Sequence, residues 1–319
     1  MSQPTRTDVH PVDPVLSNYA QAFMNDEMGF VASRAIPWEP VDSDSGTYIT
    51  YEKKYWFTNE PQERAYGADY AMAGYGLSSS TYKTIQYALA HPIPDETEAA
   101  SQTPLSLRQS GLRFLSHNFL IERERQFATA FMAGASWTTT SAGGSAGFTK
   151  WSDTASSDPV GNIKTCLRTV QQLTGRAPNA AILGQIVWDK LTEHPDVIDR
   201  VKYTQQANQT NIYNALGAIT GIPNWFVSQA VYNTANEGKT ASLSAIIDDD
   251  ILFVYVNPAR SPMDPTGAKV FYWEPGGGRG GIREYYDETK DAQVLKWKEQ
   301  WVMKVVGKDA GYILTDIVD

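Results

Sequence analysis

The run DPVGNIKTCLRTVQQLTGRAPNAAILG (158–184) carries the signals that set the fold class. Asp158 before Pro159 makes a helix start: the carboxylate can cap free N–H groups, and proline at the first helical position has no N–H to lose. Val160, Ile163, Leu167, Val170 and Leu173 recur on one helical face, and Gly175 is placed to end the helix in the left-handed conformation. AAILG (180–184) follows as a short apolar strand. Helix, reversal and buried strand in this order predict compact α/β structure.

The same texture continues downstream. A helix is expected around Val187–Glu193, and Pro195-Asp196 opens another helical turn. TQQANQTNIYN (204–214) is expected to be a polar loop, with a hydrophobic helix and strand across Ala215–Val227. ILFVYV (251–256) reads as a central strand entered through an acidic turn, Asp248–Asp250. PGGGRGGIR (275–283) reads as a flexible loop. Near the C-terminus Leu295, Trp297, Trp301, Met303 and Val305 alternate with Lys296, Lys298, Gln300 and Lys304, the period of a half-buried strand.

Upstream the chain is different. Residues 1–14 hold Pro4, Pro11 and Pro14 and predict an extended arm, followed by a short amphipathic helix from about Pro14 to Met24. GTYITYEKKYWF (46–57) has strand composition, and the region to residue 96 has few aliphatic side chains for a core. It predicts a two-stranded arm that must lean on something else, because an isolated hairpin is marginal in water. Thr103-Pro104 then opens a long helix to about Met132, with Leu105, Leu112, Leu115, Phe119, Leu120, Phe127 and Phe131 at helical spacing. Gly111 is expected to interrupt it, and TTTSAGGSAGFT (138–149) to follow as a flexible domain boundary.

Composition removes several function classes. No apolar run approaches the roughly 20 residues needed to span a bilayer, and the N-terminus lacks the basic and apolar regions of a signal peptide. The single cysteine, Cys166, excludes an intrachain disulfide framework and any cysteine-rich zinc site. A formal charge of −9 without a basic stretch argues against an electrostatic nucleic-acid binder. The 9 Trp, 17 Tyr and 11 Phe suit surfaces that are wet in one state and buried in another.

The candidates for chemistry are sparse. His10, His91, His117 and His194 show no metal-ligand spacing and read as structural or surface residues. Three successive acids, Asp248–Asp250, point in different directions and read as a turn, against a carboxylate-based hydrolase as the rival. Gly276, Gly278 and Gly281 match GxGxxG, but the residues after them, IREYYDETKDAQ, are poorly helical, so the dinucleotide reading lacks its context. Cys166 lies on an apolar helix face and reads as a buried, inert thiol. No catalytic residue, cofactor site or metal site is assigned.

A resemblance enters with longer phrases: SGTYITYEK (45–53), YALAHPIPDE (87–96), WSDTASSDPVGNIKTCLRTV (151–170), PNAAILGQIVWDKLTEHPDVIDRVKYTQ (178–205), SQAVYNTANEGKTASLSAIIDDDILFVYVNP (228–258) and DAGYILTDIV (309–318). In this order and spacing they resemble the major capsid proteins of tailed bacteriophages with the Hong Kong 97-type shell fold. The resemblance implies an α+β chain with an N-terminal arm at 1–43 and an extended loop, a β-hairpin, at 44–87. A peripheral domain with a long spine helix would occupy 88–150, an axial α/β domain 151–285, and strands returning to the peripheral domain 286–319. Some members begin with a scaffolding segment that is cleaved off. None is recognisable in this sequence, which implies a separate scaffolding protein.

The implied function is structural. Copies would associate as pentamers and hexamers into an icosahedral shell around double-stranded DNA, without sequence-specific binding and without a membrane. The implied partners are the chain itself, a scaffolding protein, a portal protein at one vertex and decoration proteins. The implied location is the virion capsid, assembled in the bacterial cytoplasm. Tyr48, Tyr51, Tyr55, Trp56 and Phe57 are the candidate aromatic anchors between subunits. Arg113, Glu122, Arg123, Glu124 and Arg125 are candidates for charge pairs at the contact rim, or else for a solvated helix face. An encapsulin-like nanocompartment enclosing an enzyme is the alternative on the same fold.

Overall fold

The computed structural model describes residues 25–100, 107–144, 147–201, 209–257 and 266–319. The helix expected at 14–24, His10 and the Thr103-Pro104 start lie outside the described residues.

In chain order come β1 (Trp38–Val41), β2 (Ser45–Tyr51), the one-turn helix α1 (Lys53–Trp56), β3 (Leu77–Lys83) and β4 (Ile85–Pro94). The short α2 (Asp95–Ala100) precedes the long helix α3 (Leu107–Phe131) and β5 (Thr139–Ala142). Next are α4 (Pro159–Thr174), β6 (Ala180–Gly184), α5 (Gln185–Glu193), α6 (Pro195–Val201), α7 (Gln209–Thr220) and β7 (Asn224–Ser228). The remaining strands are β8 (Val231–Asn233), β9 (Leu243–Ala245), β10 (Ile251–Val254), β11 (Ala268–Trp273), β12 (Gly281–Asp287), β13 (Ala292–Val305) and β14 (Gly311–Thr315).

Two five-stranded sheets organise the molecule. The first is built on β13, whose one edge pairs along its length with β4, from Ala292 opposite Pro94 to Trp301 opposite Ile85. Its other edge takes β12 on residues 292–298 and β11 on residues 301–305, and β1 lies parallel to β11. The glycine-rich stretch bridges β11 and β12 and is not a loose loop. Gly277, Gly278 and Gly280 adopt positive φ, and the turn folds back on β13 so that Gln300 N–H donates to the Gly278 carbonyl at 3.1 Å. A Cβ at Gly276 would fall 1.8 Å from the Gln300 Oε1, so only glycine allows this approach. The strand after the turn, where a dinucleotide site needs a helix, removes the GxGxxG reading.

The second sheet runs β5-β14-β10-β6-β7. Strand alternation splits its side chains between two cores. Ala181, Leu183, Ile251, Phe253 and Leu314 face α4, α5 and α7, where Val160, Ile163, Cys166, Val187, Leu191 and Leu216 complete one core. Ala180, Ile182, Leu252, Val254 and Ile313 point the other way and share a second core with Phe127, Phe131, Trp38, Val270, Trp301 and Met303 of the first sheet and α3. The two sheets are thus joined by close-packed apolar contact.

Several expectations change on contact with these sheets. Residues 286–319 do not all return to the first sheet: β13 does, whereas β14 lies inside the second, between β5 and β10. Conversely β11 and β12, from the span read as 151–285, belong to the first sheet. The boundary loop at 138–149 contains β5, which pairs with β14 as an edge strand. The polar stretch 204–214 is helical from Gln209 onward. The strand expected over Gly46–Phe57 ends at Tyr51, where Glu52 N–H bonds to the Gly76 carbonyl at 3.2 Å and closes the β2–β3 ladder. Beyond the last cross-strand partner a helical turn gives the backbone internal partners, and Phe57 N–H reaches the Lys53 carbonyl at 3.1 Å.

Gly111 does not interrupt α3. The 25-residue helix runs through it, about 37 Å long at 1.5 Å per residue. Gly111 is buried where α3 crosses β4 and β13, and a Cβ there would come within 2.8 Å of the His91 ring and 3.1 Å of a Leu295 methyl. Close approach to the sheet, and not a break, accounts for the glycine. By contrast the α4 signals read literally: the Asp158 carboxylate accepts from Gly161 N–H at 2.8 Å, and Gly175 ends the helix at φ 73°.

Candidate subunit-contact surfaces

The aromatic arm is anchored at its base and bare at its tip. Tyr48 and Tyr82, on β2 and β3, set their rings 5.8 and 5.0 Å from that of Phe271 on β11, which ties the hairpin to the first sheet. Lys53 pairs with Asp309, and the Phe57 ring approaches Gly175. From residue 52 to 75 every residue is exposed. Trp56 retains 59% of its surface and Phe57 64%, while Tyr66 and Met72 lie fully in solvent. Tyr55 is exposed, Tyr48 is half-buried, and for Tyr51 the backbone pairing opposite Leu77 is described. Trp56 leans on Tyr75 at 6.0 Å, and the Arg64 guanidinium covers Tyr70 at 4.0 Å. Exposed rings on this scale, on an arm without a core, make the arm a candidate interaction surface.

The charges expected on the rim of α3 divide into two groups. Arg123 and Glu124 are committed within the subunit, which corrects their reading as rim pairs. Arg123 grips Glu299 of β13 through Nε at 2.8 Å and through a second guanidinium nitrogen, and donates to the Arg279 carbonyl at 2.6 Å. The Glu299 carboxylate has no exposed surface and also accepts from Trp297 Nε1 at 2.8 Å and Trp301 Nε1 at 2.9 Å. Two cations approach the Trp38 ring, Arg123 at 5.3 Å and Arg279 at 5.0 Å. Glu124, equally buried, accepts from Val31 N–H at 3.0 Å, Ala32 N–H at 2.9 Å and the Ser228 hydroxyl at 2.8 Å. Burial pushes its carboxyl up, against the opposing pull of those hydrogen bonds. It therefore joins α3, the segment before β1 and β7 of the second sheet.

The other three charges remain at the surface. Arg113 is exposed and makes no ion pair or hydrogen bond among the described residues. Arg125 bridges Glu122 at 3.4 Å and reaches over Tyr232 at 5.3 Å. Glu122 also accepts from Gln126 at 2.8 Å. The buried role of Glu299 had a signal in the sequence: it falls on the same alternating face as Trp297 and Trp301. Glu124 had a weaker one, three residues before Phe127 on the apolar stripe of α3.

The residues with chemical potential serve the fold. Asp250 Oδ1 accepts from Asp316 N–H at 3.3 Å, and the Asp249 carbonyl accepts from Ile317 N–H at 3.1 Å, so the acidic turn holds the segment after β14. Burial, with Asp249 beside it, pushes Asp250 up to about 6. Among the described residues no group of His, Cys, Asp or Glu could hold a metal ion. His194 is buried, its Nδ1 accepting from Asp196 N–H at 3.3 Å and its Nε2 3.0 Å from the Ser157 hydroxyl. His117 meets Phe30 edge-on at 6.0 Å, and burial lowers its pKa. His91 packs on Phe114. Burial pushes the Cys166 thiol up to about 12, which leaves it protonated at neutral pH.

Comparison with known proteins bears on the fold. The family described as Phage major capsid protein E matches residues 141–260. A major capsid protein of Burkholderia phage BcepMu is 24% identical over 316 residues, covering 96% of each chain. Among solved structures, a phage-related protein from Bordetella bronchiseptica superposes with a TM-score of 0.68 at 23% identity, over 96% of this chain and 97% of its own. The capsid of cyanophage P-SCSP1u superposes at 0.59 with 10% identity, over 93% and 90%. No helix among the described residues is long and apolar enough to cross a membrane. The chain has the mixed α+β, Hong Kong 97-type shell fold of phage major capsid proteins.

Proposed function

We propose that this chain is the major capsid protein of a tailed bacteriophage, assembling through copies of itself into the shell of the virion. The observation that carries this reading is the aromatic arm: exposed Trp56, Phe57, Tyr66 and Met72 belong to a chain with a shell fold, and a second copy can bury them. Association, and not catalysis, is then the mechanism. Pentamers and hexamers in an icosahedral shell around double-stranded DNA, assembled in the host cytoplasm with scaffolding, portal and decoration proteins, are the finer form of the proposal. Its domains would be those the resemblance implies, with boundaries adjusted to the two sheets.

Charge supports the pairing of arm and neighbour. The arm tip carries Glu60, Glu63 and Asp69 against Arg64. The first sheet offers a shallow groove of about 470 Å³ whose lining includes Leu89, Glu274, Arg283, Lys296, Trp297 and Lys298, three cations against one acid. Acidic and aromatic meets basic and apolar. The net charge of −9 suits a container that encloses DNA without gripping it.

Electron microscopy of the expressed full chain tests the proposal. Closed shells of uniform size are the expected result, and a monodisperse monomer at all concentrations overturns it. Particles from a phage-producing culture should show nucleic-acid absorbance. Particles filled with protein instead would indicate the nanocompartment alternative.

A further inference from the structure

β12 (Gly281–Asp287) ends the strand order of the first sheet. One of its edges pairs with β13, from Gly281 opposite Lys298 to Asp287 opposite Ala292. Among the described residues no strand pairs with its other edge, and residues 281–286 are all exposed. An open edge of this kind presents a row of backbone N–H and C=O groups, a template for one more strand.

The side chains of β12 hold that edge in place. Glu284 accepts from Arg108 Nε of α3 at 3.2 Å, and the Tyr286 hydroxyl donates to Asp95 at 2.7 Å. Both are thus tied to their own subunit. Arg283 and Tyr285 alternate with them and lie on the opposite face of the sheet. The Lys296 ammonium stands over the Tyr285 ring at 4.6 Å, and Arg283 makes no ion pair or hydrogen bond among the described residues.

The order of charges along the edge says which strand it fits. Two copies related by a two-fold axis would pair antiparallel, and residues opposite each other must share a sheet face. Opposite numbers are then both odd or both even, so the axis passes through one residue. An axis at Arg283, Glu284 or Asp287 sets like charges face to face, and one at Tyr286 sets Glu284 against Glu288. An axis at Ile282 runs the pairing into Gly278 and Gly280, whose positive φ departs from a strand. An axis at Tyr285 sets Arg283 against Asp287 of the partner subunit on both sides, with no like-charge pair within the strand.

We propose that β12 is a second interface between copies of this chain, joining two first sheets edge to edge in the antiparallel register centred on Tyr285. It rests on the reading of the chain as self-associating but does not use the arm.

The test uses the full chain, in which Cys166 is buried and protonated and leaves an introduced thiol as the reactive one. Tyr285→Cys meets its own counterpart at the axis and should oxidise to a disulfide-linked dimer. Arg283→Cys would lie about 14 Å from its counterpart, beyond the roughly 7 Å that a disulfide spans between Cα atoms, and should not link alone. Mixed with Asp287→Cys chains, it should link. Adding Arg283→Glu to Tyr285→Cys should slow linking about tenfold, because like charges then face each other. Non-reducing electrophoresis reads the links, thermal midpoints near the parent's show that each variant is folded, and microscopy of the same samples reads shells. Equal linking at positions 283 and 285, or a rate indifferent to Arg283→Glu, overturns the β12 interface even where shells form. Dimers specific to position 285 in samples without shells would uphold this interface and overturn the shell reading instead.

Discussion

Glu299 shows how this protein holds a charge inside its core. Arg123 neutralises it and the Trp297 and Trp301 indoles take up its remaining lone pairs, so the buried carboxylate is fully bonded. Removing one partner leaves a buried charge uncompensated, which typically costs about 3–5 kcal/mol. Arg123→Ala should therefore destabilise the subunit by that order in chemical denaturation. Adding Glu299→Gln should recover part of the loss, and simple additivity of the two changes would show that the pair is not coupled. Asp250 gives a pH dependence of opposite origin. Its carboxyl titrates at about 6 in the folded chain against 3.8 unperturbed, so between those values the folded state holds more proton. Stability must then fall as pH rises through this window. Asp250→Asn keeps the acceptor for Asp316 N–H and removes the charge. Its thermal midpoint should exceed the parent's by about 2 °C above pH 6, after allowance for solvent screening, and the two should converge near pH 4.

At the scale of elements, α3 is placed by a residue that helix propensity alone disfavours. Gly111→Ala would gain up to about 1 kcal/mol in propensity. It would also drive a Cβ into His91 and Leu295, and overpacking of this kind costs about 1–3 kcal/mol. The net expectation is a loss near 1 kcal/mol, with Ser110→Ala on the exposed face as a neutral or stabilising control; a stabilised Gly111→Ala would mean the crossing is looser than described. The arm is the opposite case. Trp56 contributes little to the subunit core, so Trp56→Ala should leave a folded, soluble chain with a near-parental midpoint while greatly reducing shells seen by microscopy. Normal shells at normal rates would remove Trp56 from the contact.

At the scale of the whole molecule, each copy carries nine net negative charges, which the proposed shell would bring together. Repulsion between copies is screened over about 10 Å at 0.1 M salt and less above that. Raising salt should lower the concentration at which light scattering first reports assembly, and an unchanged threshold would indicate that apolar contact dominates. The densest part of each copy is the shared core of the two sheets, where Ile182, Leu252 and Ile313 join Phe131, Trp301 and Met303 in one buried cluster. The outlying part is the arm, which has no such core.

What could be read from residues alone was whatever neighbours in the chain decide. The Asp158-Pro159 start, the Gly175 stop, the apolar strands AAILG and ILFVYV and the alternation of β13 are all short-range signals, and each appears where it was expected. So was the core-poor arm, because composition shows directly that it cannot bury itself. Partnership at long range was not legible. That Glu299 meets Arg123, that Glu124 ties Val31 to Ser228, and that β14 enters the second sheet depend on segments far apart in the chain. Alternation and helical spacing could set Glu299 and Glu124 on apolar faces, but no local signal says which donors folding brings to them. Gly111 and Gly276 teach the same lesson: a missing side chain reads as freedom in a sequence, and only the packed structure shows that it is room for a neighbour.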